Sequence, residues 1–496
     1  MTLLGLDIGT THCKAGLFAR DGTALKIASR PTVTRKAPGG WSYYDPEELL
    51  RVVTTTVQDA IQDVREPIAA IGIASMAETG LLIDRRTGEP RSPMVPWFDP
   101  VSQPQADRIA ASSDPQELYK RFGLRLSFKP SLVKLLWLRE SQGTTSDDAI
   151  WLSAADYVLY RLTGAWGTDF SLASRTLAFR VDEKRWDDAW LREWGFSADL
   201  FPPVSLGGSV MGKTTGAAFG LPEGIPVSVS GHDHVCAALA VGATQPGVVF
   251  DSMGTAEALV GALPARPLTD EDYRIGLHYG CHVVDGCGYW MGGLSTSGGA
   301  VDWLRSLLGE AHLSHEAIGT LLDAAPAEPT GILFFPYLLG SGSPHSDPKV
   351  RSAFIGLDAS HGASDLLKAL VEGVAYEIEV VRRAGERMAR APIETLVVAG
   401  GGSRYRAWLQ IKADVSGCRI RALAQPEATL LGAALAAGIG CGVYRDEAEA
   451  LAGLDQPVAG VYSPDPARHE AYADVFEYGY LAFQEPLRRY RPSRQR

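Results

Sequence analysis

The chain has 496 residues, enough for two to four domains at about 100–200 residues each. Hydrophobic residues make up 46% and charged residues 21%, ordinary globular values that exclude a disordered or fibrous chain. A formal net charge of −11 excludes a global electrostatic grip on nucleic acid or an anionic membrane, so an anionic ligand needs local backbone donors or a few cations. Residues 3–8 form a short apolar run, followed by Gly9-Thr10-Thr11 and a second run over 13–19. Asp21-Gly22 then turns the chain into a third strand over 24–29, since Asp-Gly between apolar runs is a strong hairpin signal. A helix opens with Asp45 as N-cap, Pro46 in its first position and Glu48 three residues after the cap. Leu49, Val52, Val53, Val57, Ala60, Ile61 and Val64 keep helical spacing. Residues 68–74 read as a buried strand and 80–83 as another. This order predicts an α/β domain with a mixed sheet.

A similar order returns after residue 245. Residues 247–250 are a strand, Asp251-Ser-Met-Gly254-Thr255 a turn and 256–260 a strand, so Asp7-Ile-Gly9-Thr10 has an echo. Helices over 365–388 and 405–415 and a strand over 395–398 follow. Two halves of similar opening predict duplicated domains, 1–244 and 245–496, facing across a cleft. Six cysteines (Cys13, Cys236, Cys281, Cys287, Cys418, Cys441) without a Cys-x-x-Cys pair fit the reduced thiols of a cytoplasmic protein. No basic leader and no apolar run of about 18 residues predict a secreted or membrane-spanning chain. The stretch after Pro464 is polar, and the charge run that ends it, from Arg488 to Arg496, reads as a solvated terminus rather than a binding tail.

Several turns carry residues suited to chemistry. A glycine lets backbone N–H groups approach an anion and a threonine adds a hydroxyl donor. The two Gly-Thr turns are therefore placed to pinch a polyphosphate, although tight hairpins also use glycine for structure alone. There is neither a Walker loop nor a dinucleotide fingerprint. Gly400-Gly401-Gly402-Ser403, at a strand–helix junction, suits either a packing turn or a nucleotide contact. Asp233 follows the strand-like 227–229 in Gly231-His232-Asp233-His234, where it reads as a general base or as a simple helix cap. His232 and His234 are also a spaced pair for a metal, and a metal-dependent hydrolase is the corresponding alternative. Glu78, at a strand end, and Trp97-Phe98-Asp99 combine acids with an apolar ring, as a sugar platform or as a core-packed turn.

Taken in order, these pieces resemble the FGGY family of carbohydrate kinases, from residue 4 to about residue 442. The run begins at Asp7-Ile-Gly-Thr-Thr11 with Lys14 and continues through Ser131-x-x-Lys134-Leu-x-Trp137 and Thr168-Asp169 with Ala173-Ser174. Leu221-Pro-x-Gly224 leads to Asp233, followed by Ser297-Gly298-Gly299, Asp365 to Gly373, Gly400-Gly-Gly402 and Gly432-Ala-Ala434. The resemblance implies two actin-like domains of the ribonuclease H type with mixed sheets around an interdomain cleft, closing on ATP and a small sugar or polyol. It implies Asp233 as catalytic base and Asp7 as a holder of Mg²⁺. Thr10, Thr11, Lys14, Gly254, Thr255, Gly298, Gly299, Gly400, Gly401 and Gly402 would lie along ATP, and Glu78, Trp97, Asp99 and His232 on the substrate. Ala77-Glu78 stands where glycerol kinases carry an Arg–Glu pair, which argues against glycerol. Ser75-Met-Ala-Glu78 replaces the Gln-Met-His of xylulose kinases, which argues against xylulose. A non-catalytic nucleotide-dependent sugar sensor or chaperone on the same scaffold is the alternative. The chain is compatible with a homodimer and calls for neither nucleic acid nor membrane as a partner.

Overall fold

A computed structural model describes all residues except 145–146, 217, 310–313, 425–426, 455–456 and 491–496. The first apolar runs form β1 (Thr2–Ile8), β2 (His12–Ala19) and β3 (Ala24–Pro31), an antiparallel meander. β4 (Ile68–Ser75) and β6 (Pro226–His232) extend the sheet in parallel from β1, and the short β5 (Gly212–Lys213) closes its edge. The six-stranded order is β5-β6-β4-β1-β2-β3. Helix α1 (Pro46–Ile61) begins as its sequence requires, with Asp45 Oδ1 accepting from the Glu48 amide at 2.8 Å. Its buried stripe of Leu49, Leu50, Val53, Val57 and Ala60 faces β2 and β3. Val64 lies beyond the helix, because Asp63 turns left-handed at φ 65°.

The second sheet repeats this plan. β7 (Val248–Met253), β8 (Glu257–Pro264) and β10 (Cys287–Leu294) are antiparallel, with β9 (His278–Cys281) on their edge. β11 (Thr395–Ala399) and β12 (Arg419–Leu423) run parallel to β7, and β13 (Val458–Tyr462) ends the seven-stranded order β9-β10-β8-β7-β11-β12-β13. Both sheets thus hold three antiparallel strands followed by two parallel ones, the order expected of the duplicated ribonuclease H plan. Two expectations move. Gly80–Asp84 leaves the main sheet to pair with Ala149–Ser153, and Asp251 to Met253 are strand, so the turn begins only at Gly254.

Two helices join the sheets. α2 (Asp233–Ala240) follows β6 directly, and α6 (Ala428–Gly440) lies across the face of the first sheet. Glycine permits that seat: a Cβ on Gly72 would lie 1.9 Å from the Ala433 carbonyl oxygen, and one on Gly432 would lie 1.8 Å from that of Cys236. One apolar cluster therefore runs from Leu3, Ala70 and Val235 through Leu430 to Phe250 and Val397, uniting both halves. Between β10 and α6 the chain also forms α3 (Gly298–Leu308), α4 (Ala363–Ala389) and α5 (Arg406–Ser416).

The stretch between Pro464 and the charge run is helical. Helices Pro466–Asp474, Val475–Tyr480 and Leu481–Arg489 bury Tyr472, Phe476 and Tyr480 against α4, so the polar stretch ahead of the charge run contributes to the core. Residues 491–496, the end of the arginine-rich run, lie outside the described residues. Among the described residues no helix is long and apolar enough to cross a membrane.

Candidate active site

The end of β1 and the start of α2 bring Asp7 and Asp233 close enough for each to oppose the other's charge. The cap position of α2 belongs to His232, not to Asp233, whose carboxylate is committed elsewhere. Asp233 Oδ1 accepts from the His234 amide at 2.6 Å and from His234 Nδ1 at 2.7 Å, and His232 Nε2 lies 3.1 Å away. Burial opposes ionisation of Asp233, but the charge of His234 and the hydrogen bonds of both imidazoles hold it well below the usual carboxylate range. Burial lowers His232, so it is the neutral partner at pH 7. Burial also acts on His234, but Asp233 outweighs it and raises the ring above its ordinary value. The ligating atoms of His232, Asp233 and His234 lie within 4.8 Å of one another, yet both imidazoles aim at the same carboxylate oxygen.

Asp7 has the opposite character. Burial pushes its carboxyl up to about 8, with Asp233 and Glu427 adding repulsion against the pull of Lys14 and His234. Its Oδ1 is buried and has no hydrogen-bond partner. Lys14 reaches across to the residue that precedes α6, with Nζ 2.7 Å from Glu427 Oε2 and 3.0 Å from Oε1. Thr429 Oγ1 donates to the Asp233 carbonyl at 3.4 Å. The start of α6 therefore closes over the first hairpin.

Glu78, a non-glycine residue at φ 60°, lies within electrostatic reach of His232. Its Oε1 accepts from Arg175 Nη2 at 2.7 Å, and the Lys134 ammonium donates to its backbone carbonyl. Burial acts against the Glu78 charge, but Arg175, Lys129 and Lys134 outweigh it and lower the carboxyl. Trp97 Nε1 donates to Thr10 Oγ1 at 2.9 Å, so the first Gly-Thr turn and the aromatic platform are one unit. Lys129 Nζ lies 5.0 Å from the centre of the Trp97 ring. Asp99 is placed differently from these. Its oxygens accept from the Ser42 amide at 2.5 Å and the Val101 amide at 3.0 Å, so it holds the turn that carries Trp97.

A second group gathers at the end of β7. The Gly298 amide donates to the Gly254 carbonyl at 3.0 Å and the Gly299 amide to the Thr255 carbonyl at 3.0 Å. Gly400, at φ 110°, leaves room that a Cβ would fill 2.5 Å from the Met253 carbonyl, and Gly402 packs on the Met253 side chain. Thr11, Gly254, Thr255 and Gly401 are exposed at these tips. The glycines expected along a nucleotide are thus assembled from three distant segments.

Sequence reading passed over Arg175, Lys129 and Tyr289. The Ala173-Ser174 pair ends one residue short of Arg175, and the structure supplies from there the arginine that Ala77 lacks beside Glu78.

Comparison with known proteins settles the class. The FGGY family of carbohydrate kinases matches residues 2–240 with its N-terminal domain and residues 251–441 with its C-terminal domain. The chain belongs to the FGGY family of carbohydrate kinases. It is 30% identical to a glycerol kinase of Acaryochloris marina over 91% of this chain and 92% of the relative. It is 27% identical to a xylulose kinase of Bacillus subtilis over 96% of this chain and 95% of the relative. A crystal structure of a xylulose kinase from Rhodospirillum rubrum superposes with a TM-score of 0.87 at 27% identity, covering 99% of this chain and 100% of that one. This FGGY protein is accordingly a phosphotransferase with an alcohol as acceptor, on the actin-like two-domain fold.

Proposed function

We propose that this kinase transfers the γ-phosphoryl group of ATP to a hydroxyl of a small ketose or polyol, with Asp233 as the base. Residues 1–244 carry the acceptor and the base, and residues 245–496 hold the nucleotide. The observation that carries this reading is the carboxylate of Asp233, with Oδ1 clamped by two imidazoles, its charge acting on Asp7, and one of those imidazoles within reach of both Glu78 and Arg175. The acceptor oxygen attacks the γ-phosphorus in line and forms the new P–O bond. The bond from that phosphorus to the bridging oxygen breaks, and its electron pair leaves with ADP. The hydroxyl proton passes to Oδ2 of Asp233. A carboxylate held so firmly ionised is a modest base, which suffices where the transition state is loose and the proton moves late. The two imidazoles serve orientation: they fix one oxygen so that the other faces the acceptor.

Asp7 fits a divalent cation. Its unpartnered buried Oδ1 sits among the acids Asp233 and Glu427, and a cation there relieves their repulsion. When bound, Mg²⁺ neutralises charge on the phosphoryl oxygens. Thr11, Gly254, Thr255, Gly298, Gly299, Gly400, Gly401 and Gly402 line the phosphates and nucleoside, with Lys14 released from Glu427 to meet them. Thr10 positions Trp97, on whose ring the carbon face of the acceptor lies, and His232 and Glu78 take its hydroxyls. Glycerol and xylulose are named for the relatives above, and the arginine beside Glu78 keeps a polyol within this class.

A coupled ADP assay across pentuloses, hexuloses and alditols tests the reading. ADP formation that requires an acceptor supports it. ADP formation that ignores the acceptor and survives Asp233→Ala refutes it.

A further inference from the structure

The wall around Glu78 holds more donors than it has acceptors to use. Arg175 spends Nη2 on Glu78, while its Nε and Nη1 are buried without a partner in a side chain only 4% exposed. His278 Nδ1 is likewise buried and unpartnered, and the Tyr289 hydroxyl is buried beside the Arg175 guanidinium. Lys134 is sealed and turned onto the Glu78 carbonyl, and Lys129 rests over Trp97 with no carboxylate within ion-pair reach among the described residues. Against Arg175, Lys129 and Lys134 stand Glu78 and Asp99, and both oxygens of Asp99 already hold backbone amides. The field agrees with this census. Burial lowers His278 strongly, and the charges that act on it are the cations Arg175, Lys129 and Arg125. A neutral sugar hydroxyl accepts one hydrogen bond and brings a donor of its own, so it leaves the surplus charge in place. A carboxylate is acceptor-only and suits a guanidinium with two unfilled N–H groups beside an ammonium.

Building on the kinase reading above, we propose that the acceptor carries a carboxylate, so that the substrate class is a sugar acid, with Arg175 and Lys129 binding its carboxylate while a hydroxyl lies at Asp233. Buried groups left unsatisfied are costly, and a ligand of matching charge removes that cost on binding. Arg175 is then a shared post, holding Glu78 on one side and the acid on the other.

The test uses the purified full-length protein and matched acceptors, each a neutral ketose or alditol paired with the aldonate or ketoaldonate of equal carbon number. We expect kcat/KM to favour the acid by about tenfold or more, with the difference in KM. Lys129→Gln should remove most of that preference and Lys129→Arg should keep it, with melting temperatures unchanged for this partly buried loop position. A wild-type enzyme that turns over the neutral partners equally well or better overturns the proposal and leaves the kinase reading standing. A Lys129→Gln variant that is folded and retains the full acid preference also overturns it. ADP from no acceptor of either kind removes the kinase reading and the proposal together.

Discussion

Asp7 and Asp251 lie near the ends of the first strands of the two sheets, each just before a Gly-Thr turn, yet their surroundings are opposite. Asp7 is half-buried, its Oδ1 has no partner, and the nearest strong influences include two more acids, Asp233 and Glu427. Asp251 is sealed, and the Lys412 ammonium from α5 lies between it and Glu257, which in turn accepts from Ser297 Oγ. The first copy keeps a carboxylate poised for a ligand. The second copy neutralises its carboxylate and uses it to tie β7, β8, α5 and the start of α3 into a fixed floor under Gly254 and Gly298. Duplication supplied two similar ends, and the lysine distinguishes scaffold from site.

Removing that lysine is the most severe way to break the comparison. Lys412→Met leaves Asp251 and Glu257 buried together without a counter-charge, and removing one partner of a buried ion pair costs about 3–5 kcal/mol. We expect a fall in melting temperature of several degrees, while Asp7→Asn lowers kcat without lowering the melting temperature. The reverse pattern would assign scaffold and site to the wrong copies.

Next in size is the base. Asp233→Asn should reduce kcat by at least about 10²-fold while ATP binding, followed by calorimetry, persists. Turnover retained in that variant would remove Asp233 from its role. Glu78→Ala follows, with a KM for the acceptor raised by about tenfold and ATP affinity nearly unchanged, because an ion pair with Arg175 and a contact to the acceptor are both lost. An effect on ATP alone would place Glu78 outside the acceptor wall.

Much of this was legible in the chain, and the reasons differ by residue. Asp45, Pro46 and Glu48 act within one turn, so their spacing suffices to place α1. Asp233 was visible as a base or a cap, and only the two imidazoles on Oδ1 decide how it is used. Arg175 and Glu78 are 97 residues apart in sequence, and no local pattern joins them. The same holds for Asp99 and the Ser42 amide, 57 residues apart, a bond that makes the acid part of a turn. Asp251 read as part of a turn because acids favour turns, whereas burial beside Lys412 keeps it in the strand. Tyr472, Phe476 and Tyr480 recur every four residues, a helical signal obscured by the arginines that follow them.

That buried end offers the smallest test, on a carboxylate satisfied by neutral donors instead of by a cation. Glu377 Oε2 accepts from Tyr480 at 2.7 Å, Tyr337 at 3.0 Å and Gln484 at 3.1 Å. Burial pushes its carboxyl above the ordinary 4.5, and these hydrogen bonds together with Arg488 offset only part of the rise. The folded state therefore holds the Glu377 proton more tightly than the unfolded chain does. Its stabilising contribution is present below pH 4.5 and is lost as pH rises through the raised folded value. Glu377→Gln keeps the acceptor oxygen and abolishes the titration. Its melting temperature relative to wild type should climb as pH rises above 4.5, where the wild-type carboxyl begins to lose its proton in the unfolded chain. A difference that stays flat, or that runs the other way, would mean that the tyrosines stabilise the ion as well as water does, and that a buried carboxylate here needs no lysine such as Asp251 has.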